Sequence, residues 1–139
     1  MSKLTAFDIS AQGLAAQRQR LDVVAENIAN VNTTRSNAGG PYRRKQIVFE
    51  TVLQGESILG SPAEGVRVSD VTTDNTPFKQ VYEPSHPDAN GQGLVEMPNV
   101  NVVEEMVDMI SATRSYEANV TVLNSSKSML MKALEIGRR

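Results

Sequence analysis

The chain has 139 residues, enough for one ordinary domain, and carries a net charge of −2 with no basic block, which argues against nucleic acid as its main partner. Aromatic residues make up only 4% and Trp is absent, so a large aromatic-built core is excluded. Without cysteine there is neither a disulfide framework nor a thiolate metal site, and no stretch approaches the ~20 apolar residues of a membrane-spanning helix.

The spacing predicts a first helix from about Leu4 to Asn30. Phe7, Leu14, Leu21 and Ile28 recur at an unbroken interval of seven. Ala11, Ala25, Val24 and Val31 widen that stripe, and Ile9, Ala15, Ala16, Val23 and Ala29 form a further row. One neighbour covers one stripe, so a helix apolar on two sides expects two or more neighbours. Thr5 or Ser10 is the expected cap, and Asp8 suits the positive end of the helix. Gly13 costs about 1 kcal/mol relative to Ala in a helix and so marks a close approach of another helix. Asn30, Asn32 and the Thr33-Thr34 pair end the helix, and residues 36–41 read as a loop.

Gln46 to Val52 is rich in β-branched and aromatic residues and reads as a strand. Gln54 to Gly65 reads as a loop. Val66, Val68 and Val71 suggest a second strand, with a bulge between the last two. Asp74-Asn75-Thr76-Pro77 is turn chemistry, and Phe78 to Tyr82 is expected to return as a strand that completes a hairpin. Glu83 to Gly93 is a second loop, and Leu94 to Met97 adds a short strand.

The last stretch, from about Asn99 to the end, reads as one long helix capped by Asn99 or Asn101. It holds no Pro after Pro98 and no Gly before Gly137. Met109, Tyr116, Leu123 and Leu130 recur at seven, beside a row of Val122, Met129 and Ile136 and a flank of Val120 and Leu134. A strict interval of seven favours a left-handed supercoil against another helix. At ~1.5 Å per residue the helix is roughly 50 Å long, too long for a small chain to cover, so it needs a partner.

Candidate chemistry is thin. His86, with Glu83 and Asp88, makes a poor ligand set in a Pro-containing loop and reads as a turn residue bonded locally. Glu104, Glu105 and Asp108 are acids near a helix N-terminus, where the dipole alone accounts for them. Gly39-Gly40 is no phosphate loop, because no Lys-Ser/Thr follows and no helix opens there. Arg43, Arg44 and Lys45 form the one basic cluster, a candidate outer contact for an acidic neighbour or for cell wall. No nucleophile is accompanied by a base and an orienting group, which argues against an enzyme. The polar residues beside the seams, Asn27, Asn30, Asn119 and Ser126, are candidates for fixing register and partner.

Ser10-Ala11-Gln12-Gly13-Leu14 and Glu26-Asn27-Ile28-Ala29-Asn30-Val31-Asn32-Thr33-Thr34 resemble the N-terminal signature of the flagellar rod, hook and related axial proteins. Pro98-Asn99-Val100, Glu105-Met106 and Arg114-Ser115-Tyr116-Glu117-Ala118-Asn119 resemble their C-terminal signature. Gly39-Gly40-Pro41-Tyr42-Arg43 and Val81 to Asn90 are similar to the short proximal rod members rather than the longer distal ones. Gly93-Leu94-Val95 stands where the family usually has Gly-Tyr-Val.

The resemblance implies a subunit of the rod that crosses the periplasm, exported through the flagellar export apparatus without a cleaved signal. Its terminal helices would form the inner tube of the shaft, and the insert would decorate the outside. The expected partners are copies of itself, other proximal and distal rod proteins, the rod-base adaptor or membrane ring, and the export apparatus. Neither nucleic acid, nor membrane insertion, nor a cofactor is implied.

The fold expected is α+β, with two long antiparallel terminal helices, coiled-coil-like, and a small β-hairpin or sheet insert. The division expected is 1–35 with 98–139 as the helical unit and 36–97 as the insert. The expected assembly interface comprises Phe7, Leu14, Leu21, Asn27, Ile28 and Asn30 on the first helix. On the last it comprises Met109, Tyr116, Asn119, Leu123, Leu130 and Leu134. From the residues alone, a soluble coiled-coil adaptor or export chaperone stands as the second reading. An enzyme with carboxylates around Glu104 and His86 is a distant third.

Overall fold

Two helices enclose two small antiparallel sheets in a computed structural model that describes residues 6–37, 39–56 and 62–138. Helix α1 is Ala6–Ala29 and helix α2 is Val102–Ile136. Strands β1 (Lys45–Glu56) and β2 (Pro62–Thr73) form one two-stranded sheet, and β3 (Lys79–Tyr82) and β4 (Leu94–Met97) form the other. The architecture is the α+β arrangement the sequence predicts.

The helices run antiparallel. Asn27 of α1 meets Glu105, Arg20 meets Asp108, and Gly13 lies against Asn119. At Gly13 the two helices approach closely: a Cβ there would sit 2.9 Å from Asn119 Nδ2. Asn101, not Asn99, caps α2, its side chain accepting from Val103 N at 3.1 Å. On α1, Thr5 lies outside the described residues, and Ser10 sits inside the helix as a buried residue rather than as its cap.

The sheets depart from expectation in two places. Gln54–Glu56 and Pro62–Gly65, read as loop, belong to β1 and β2. Pro is tolerated at the first position of a strand, where Pro62 stands, and glycine lets another group approach the backbone closely, as Gln12 does at Gly65. The expected bulge is present: Val48 pairs with Asp70 and Phe49 with Val68, leaving Ser69 as the extra residue.

The second departure is the pairing of β3. It pairs with β4, not with β2, so the chain forms two hairpins in succession. The reason is local. The 74–77 stretch, which would have to turn back onto β2, is held elsewhere: Asp74 N donates to Arg44 O, and Asn99 Nδ2 donates to the carbonyls of Asp74 and Thr76. The β3–β4 loop closes on itself through Glu83 N to Gly93 O and Asn90 N to Leu94 O, with Gly93 at φ 74°.

The core is thin and polar. Ala16, Val24, Tyr42, Val95 and Ala112 are its buried hydrophobic residues among those described, and Ser10, Asn27 and Glu105 are buried with them. With little apolar volume between them, the helices rely on hydrogen bonding for their register. At ~1.5 Å per residue the 35 residues of α2 span about 52 Å and the 24 of α1 about 36 Å. With Gly13 opposite Asn119, the described start of α1 at Ala6 falls near Ser126, and the last turns of α2 continue past that level.

Candidate assembly interface

A polar node joins α1, the link before β1, the 74–76 turn and α2. Asn27, 1% exposed, uses all four of its bonds inside the chain. Its Nδ2 donates to Lys45 O at 2.9 Å and Glu105 Oε2 at 3.0 Å; its Oδ1 accepts from Tyr42 OH and Lys45 N, both at 2.9 Å. Glu105 is wholly buried and also accepts from Arg44 Nε. The Arg44 guanidinium lies 3.7 Å from Asp108 and 3.9 Å from Asp74, and Arg20 pairs with Asp108 at 2.8 Å. Asn99 completes the node, accepting from Arg44 N at 2.8 Å while donating to Thr76 Oγ1 at 2.8 Å.

The electrostatics follow from burial among carboxylates. Desolvation, then the charges of Glu26 and Glu105, push the Tyr42 phenol up to about 12. For Arg44, burial acts to lower the pKa, but the Glu105 hydrogen bond and charge, then Asp108 and Asp74, outweigh it and hold it raised. Glu105 therefore does more than answer a helix dipole. It is one half of a buried ion pair, and removing one partner of such a pair costs about 3–5 kcal/mol.

The residues expected at the interface divide into four groups. Asn27 faces inward, with no capacity left for a neighbour. Asn30 ends α1: its Nδ2 donates to Glu26 O and its Oδ1 accepts from Thr33 Oγ1. Leu14, Leu21, Ile28, Met109, Asn119 and Leu123 are half-buried along the helix pair. Phe7 at 45%, Tyr116 at 36%, Leu130 at 65% and Leu134 at 63% are exposed, the last two in the part of α2 past the described start of α1.

The line of α2 pressed nearest to α1 is Glu105, Ala112 and Asn119, also seven apart, with Ala112 fully buried. The row Met109, Tyr116, Leu123 and Leu130 flanks it. Hydrophobicity marks the flank, because the closest line is built of small and polar side chains. The signal that finds it is Gly13, which requires a close neighbour.

The basic cluster is largely closed within the chain. Arg44 belongs to the node, Lys45 Nζ pairs with Glu26, and the Arg43 guanidinium lies 4.3 Å over the Phe78 ring. As an outer contact the cluster is thus reduced to Arg43, whose side chain is exposed. His86 Nδ1 accepts from Asp88 N within its turn, and Asp88 accepts from Thr34 Oγ1 and pairs with Arg35. The Thr34 hydrogen bond is the largest effect on the Asp88 carboxyl; with the Arg35 charge and hydrogen bond it outweighs the opposing desolvation and holds the carboxyl below its usual value.

Residues 7–35 match the family model described as flagella basal body rod protein, and residues 92–136 match the one described as flagellar basal body rod FlgEFG protein C-terminal. The flagellar basal-body rod protein FlgC of Bacillus subtilis (strain 168) is 47% identical over 150 residues, spanning 99% of this chain and 100% of that protein. That of Escherichia coli O157:H7 is 48% identical over 138 residues, with 99% and 100% covered. That of Borreliella burgdorferi is 47% identical over 149 residues, with 98% of each covered. The chain belongs to the FlgC family of flagellar basal-body rod proteins. In this rod-family chain the two matched segments are the two helices and their approaches. The first supplies Asn27 to the node, the second Asn99, Glu105 and Asp108, and the stretch between them supplies Tyr42 and Arg44.

Proposed function

We infer that the chain is a structural subunit of the flagellar basal-body rod, in its proximal segment, assembling through its terminal helices into the shaft that transmits torque. The observation that carries this reading is the full-length likeness to rod proteins combined with helix faces left apolar and exposed. Val103, Val107 and Ile110 on α2, and Met129, Leu130, Met131, Leu134 and Ile136 past the described start of α1, are large hydrophobic side chains left exposed among the described residues. Such a surface calls for neighbours, and in a rod these are copies of the chain and other rod proteins. The rod base and the export apparatus are its further partners, the periplasm its setting, and export proceeds without a cleaved signal.

The node suits that task. A shaft under torque needs helices that neither slide nor rotate on each other, and a buried, fully bonded polar cluster has one satisfied arrangement where an apolar seam has several. The helical unit of 1–35 and 98–139 then builds the tube, and the insert of 36–97 lies outside it, fastened by Arg44 and Asn99. The test is fractionation. The tagged chain is expected to copurify with detergent-resistant basal bodies, and a chain found only in the soluble fraction would favour the adaptor reading instead.

A further inference from the structure

Each helix carries a second face, about 180° around from the seam at ~100° per residue. On α1 it is Ala11, Ala15, Arg18, Asp22, Ala25 and Ala29, spaced alternately four and three, all exposed. On α2 it is Val103, Val107, Ile110, Arg114 and Glu117, in the same alternation. The three apolar members of the α2 face are 69%, 61% and 55% exposed. Arg18, Asp22, Arg114 and Glu117 take part in none of the ion pairs among the described residues.

We propose that these two faces meet between copies of the chain: the outer face of α1 packs antiparallel on the outer face of α2 of the next copy, with Asp22 against Arg114 and Arg18 against Glu117. The inference rests on the rod-subunit reading and adds to it which faces meet and in what register. In that register Ala25 falls opposite Ile110 and Ala29 opposite Val107, so large side chains enter where small ones leave room. Both charge pairs are of opposite sign at once. A parallel arrangement that matched Asp22 to Arg114 would set Arg18 against Ile110 and Ala25 against Glu117, burying charge on apolar groups. One register in one direction therefore satisfies both the charges and the volumes.

The geometry also fixes the kind of assembly. The α1 face of one copy meets the α2 face of another, so the contact is head-to-tail and each copy retains one free face of each kind. Such contacts propagate into rings or helical arrays, not closed dimers. Inside a subunit the two outer faces point away from each other, so neither pair can close within one chain.

The absence of cysteine makes the test clean. In cells carrying Ala25→Cys together with Ile110→Cys, mild oxidation of isolated basal bodies is expected to convert at least about half of the monomer into dimers and larger multimers of this chain, since a disulfide requires Cα atoms within about 7 Å. Ala25→Cys with Asn124→Cys, about 21 Å further along α2, is expected to give none. Assembled rods in which both pairs stay monomeric, or in which the Asn124 pair bonds equally well, overturn the register. A bond to a chain of different mass overturns the choice of a second copy. Charge exchange gives an independent reading: Asp22→Arg and Arg114→Asp are each expected to lower incorporation about tenfold, and the two together to restore it to within about twofold. No restoration in the double variant counts against the pairing. If the unaltered chain is itself missing from basal bodies, the rod reading falls and takes the pairing with it.

Discussion

Four bonds converge on the Asn27 side chain, two from backbone groups and two from side chains. Asn27→Leu keeps the volume but leaves Tyr42 OH, Lys45 N, Lys45 O and one Glu105 oxygen without their partner in a buried site. The expected loss is roughly 2–4 kcal/mol, read as a lower urea midpoint of the full chain at an unchanged slope. Asn30→Leu, which removes two local bonds at the end of α1, is expected to cost less than about 1 kcal/mol. Equal effects would mean that the node does not hold the fold. Tyr42 gives the same site a pH signature. Its phenol is raised from 10.0 to about 12, so the folded chain holds that proton more tightly than the unfolded chain does. The stabilisation is complete below pH 10 and is lost as pH rises through 12. Unfolding midpoints measured across that window are expected to fall in the parent and to fall less in Tyr42→Phe. The sequence shows Asn27 as a polar residue in an apolar helix, but its partner Glu105 lies 78 residues away, and no local pattern joins the two.

At the scale of elements, the periodicities locate both helices and most strand residues because a helix face and a strand face repeat within a few residues. Pairing is less legible. The β3–β4 hairpin spans a loop of eleven residues, Glu83–Gly93, whose closing bonds come from Asn90 and Gly93 rather than from a two-residue turn signal. The line of closest approach is hidden for a different reason: Glu105, Ala112 and Asn119 carry little hydrophobicity, while the apolar row that the sequence shows flanks them. Gly13 separates the two descriptions experimentally. Gly13→Ala gains about 1 kcal/mol of helix propensity and meets the Asn119 amide at 2.9 Å, two effects of similar size, so little net change is expected. Gly13→Leu has no such balance. Overpacking there is expected to cost about 1–3 kcal/mol in the unfolding midpoint. If Gly13→Leu is as stable as the parent, the helices do not approach at Gly13.

The whole molecule shows two kinds of residue, those that hold the subunit and those that only an assembly can bury. The node belongs to the first kind, and the proposed rod assembly assigns the end of α2, past the described start of α1 near Ser126, to the second. Leu134 is 63% exposed and lies two turns past that point. Leu134→Asp therefore removes nothing from the isolated chain, and its unfolding midpoint is expected to stay within about 0.5 kcal/mol of the parent. In a rod the same change sets a carboxylate where a neighbour's apolar surface has to close, at a cost of several kcal/mol at every copy. The expected outcome is a chain that is made and folded normally but is missing from purified basal bodies, in cells that do not swim. Leu123→Asp, half-buried beside the seam, is expected to fail on both counts, lowering the midpoint and blocking incorporation. Asn27→Leu leaves the outer faces of both helices untouched, so whatever incorporation it loses should follow its stability and recover at lower growth temperature. Leu134→Asp should not recover on cooling, since its defect lies in a surface and not in the fold. Normal incorporation of Leu134→Asp, or its rescue by cold, would show that the end of α2 stays in water in the finished rod.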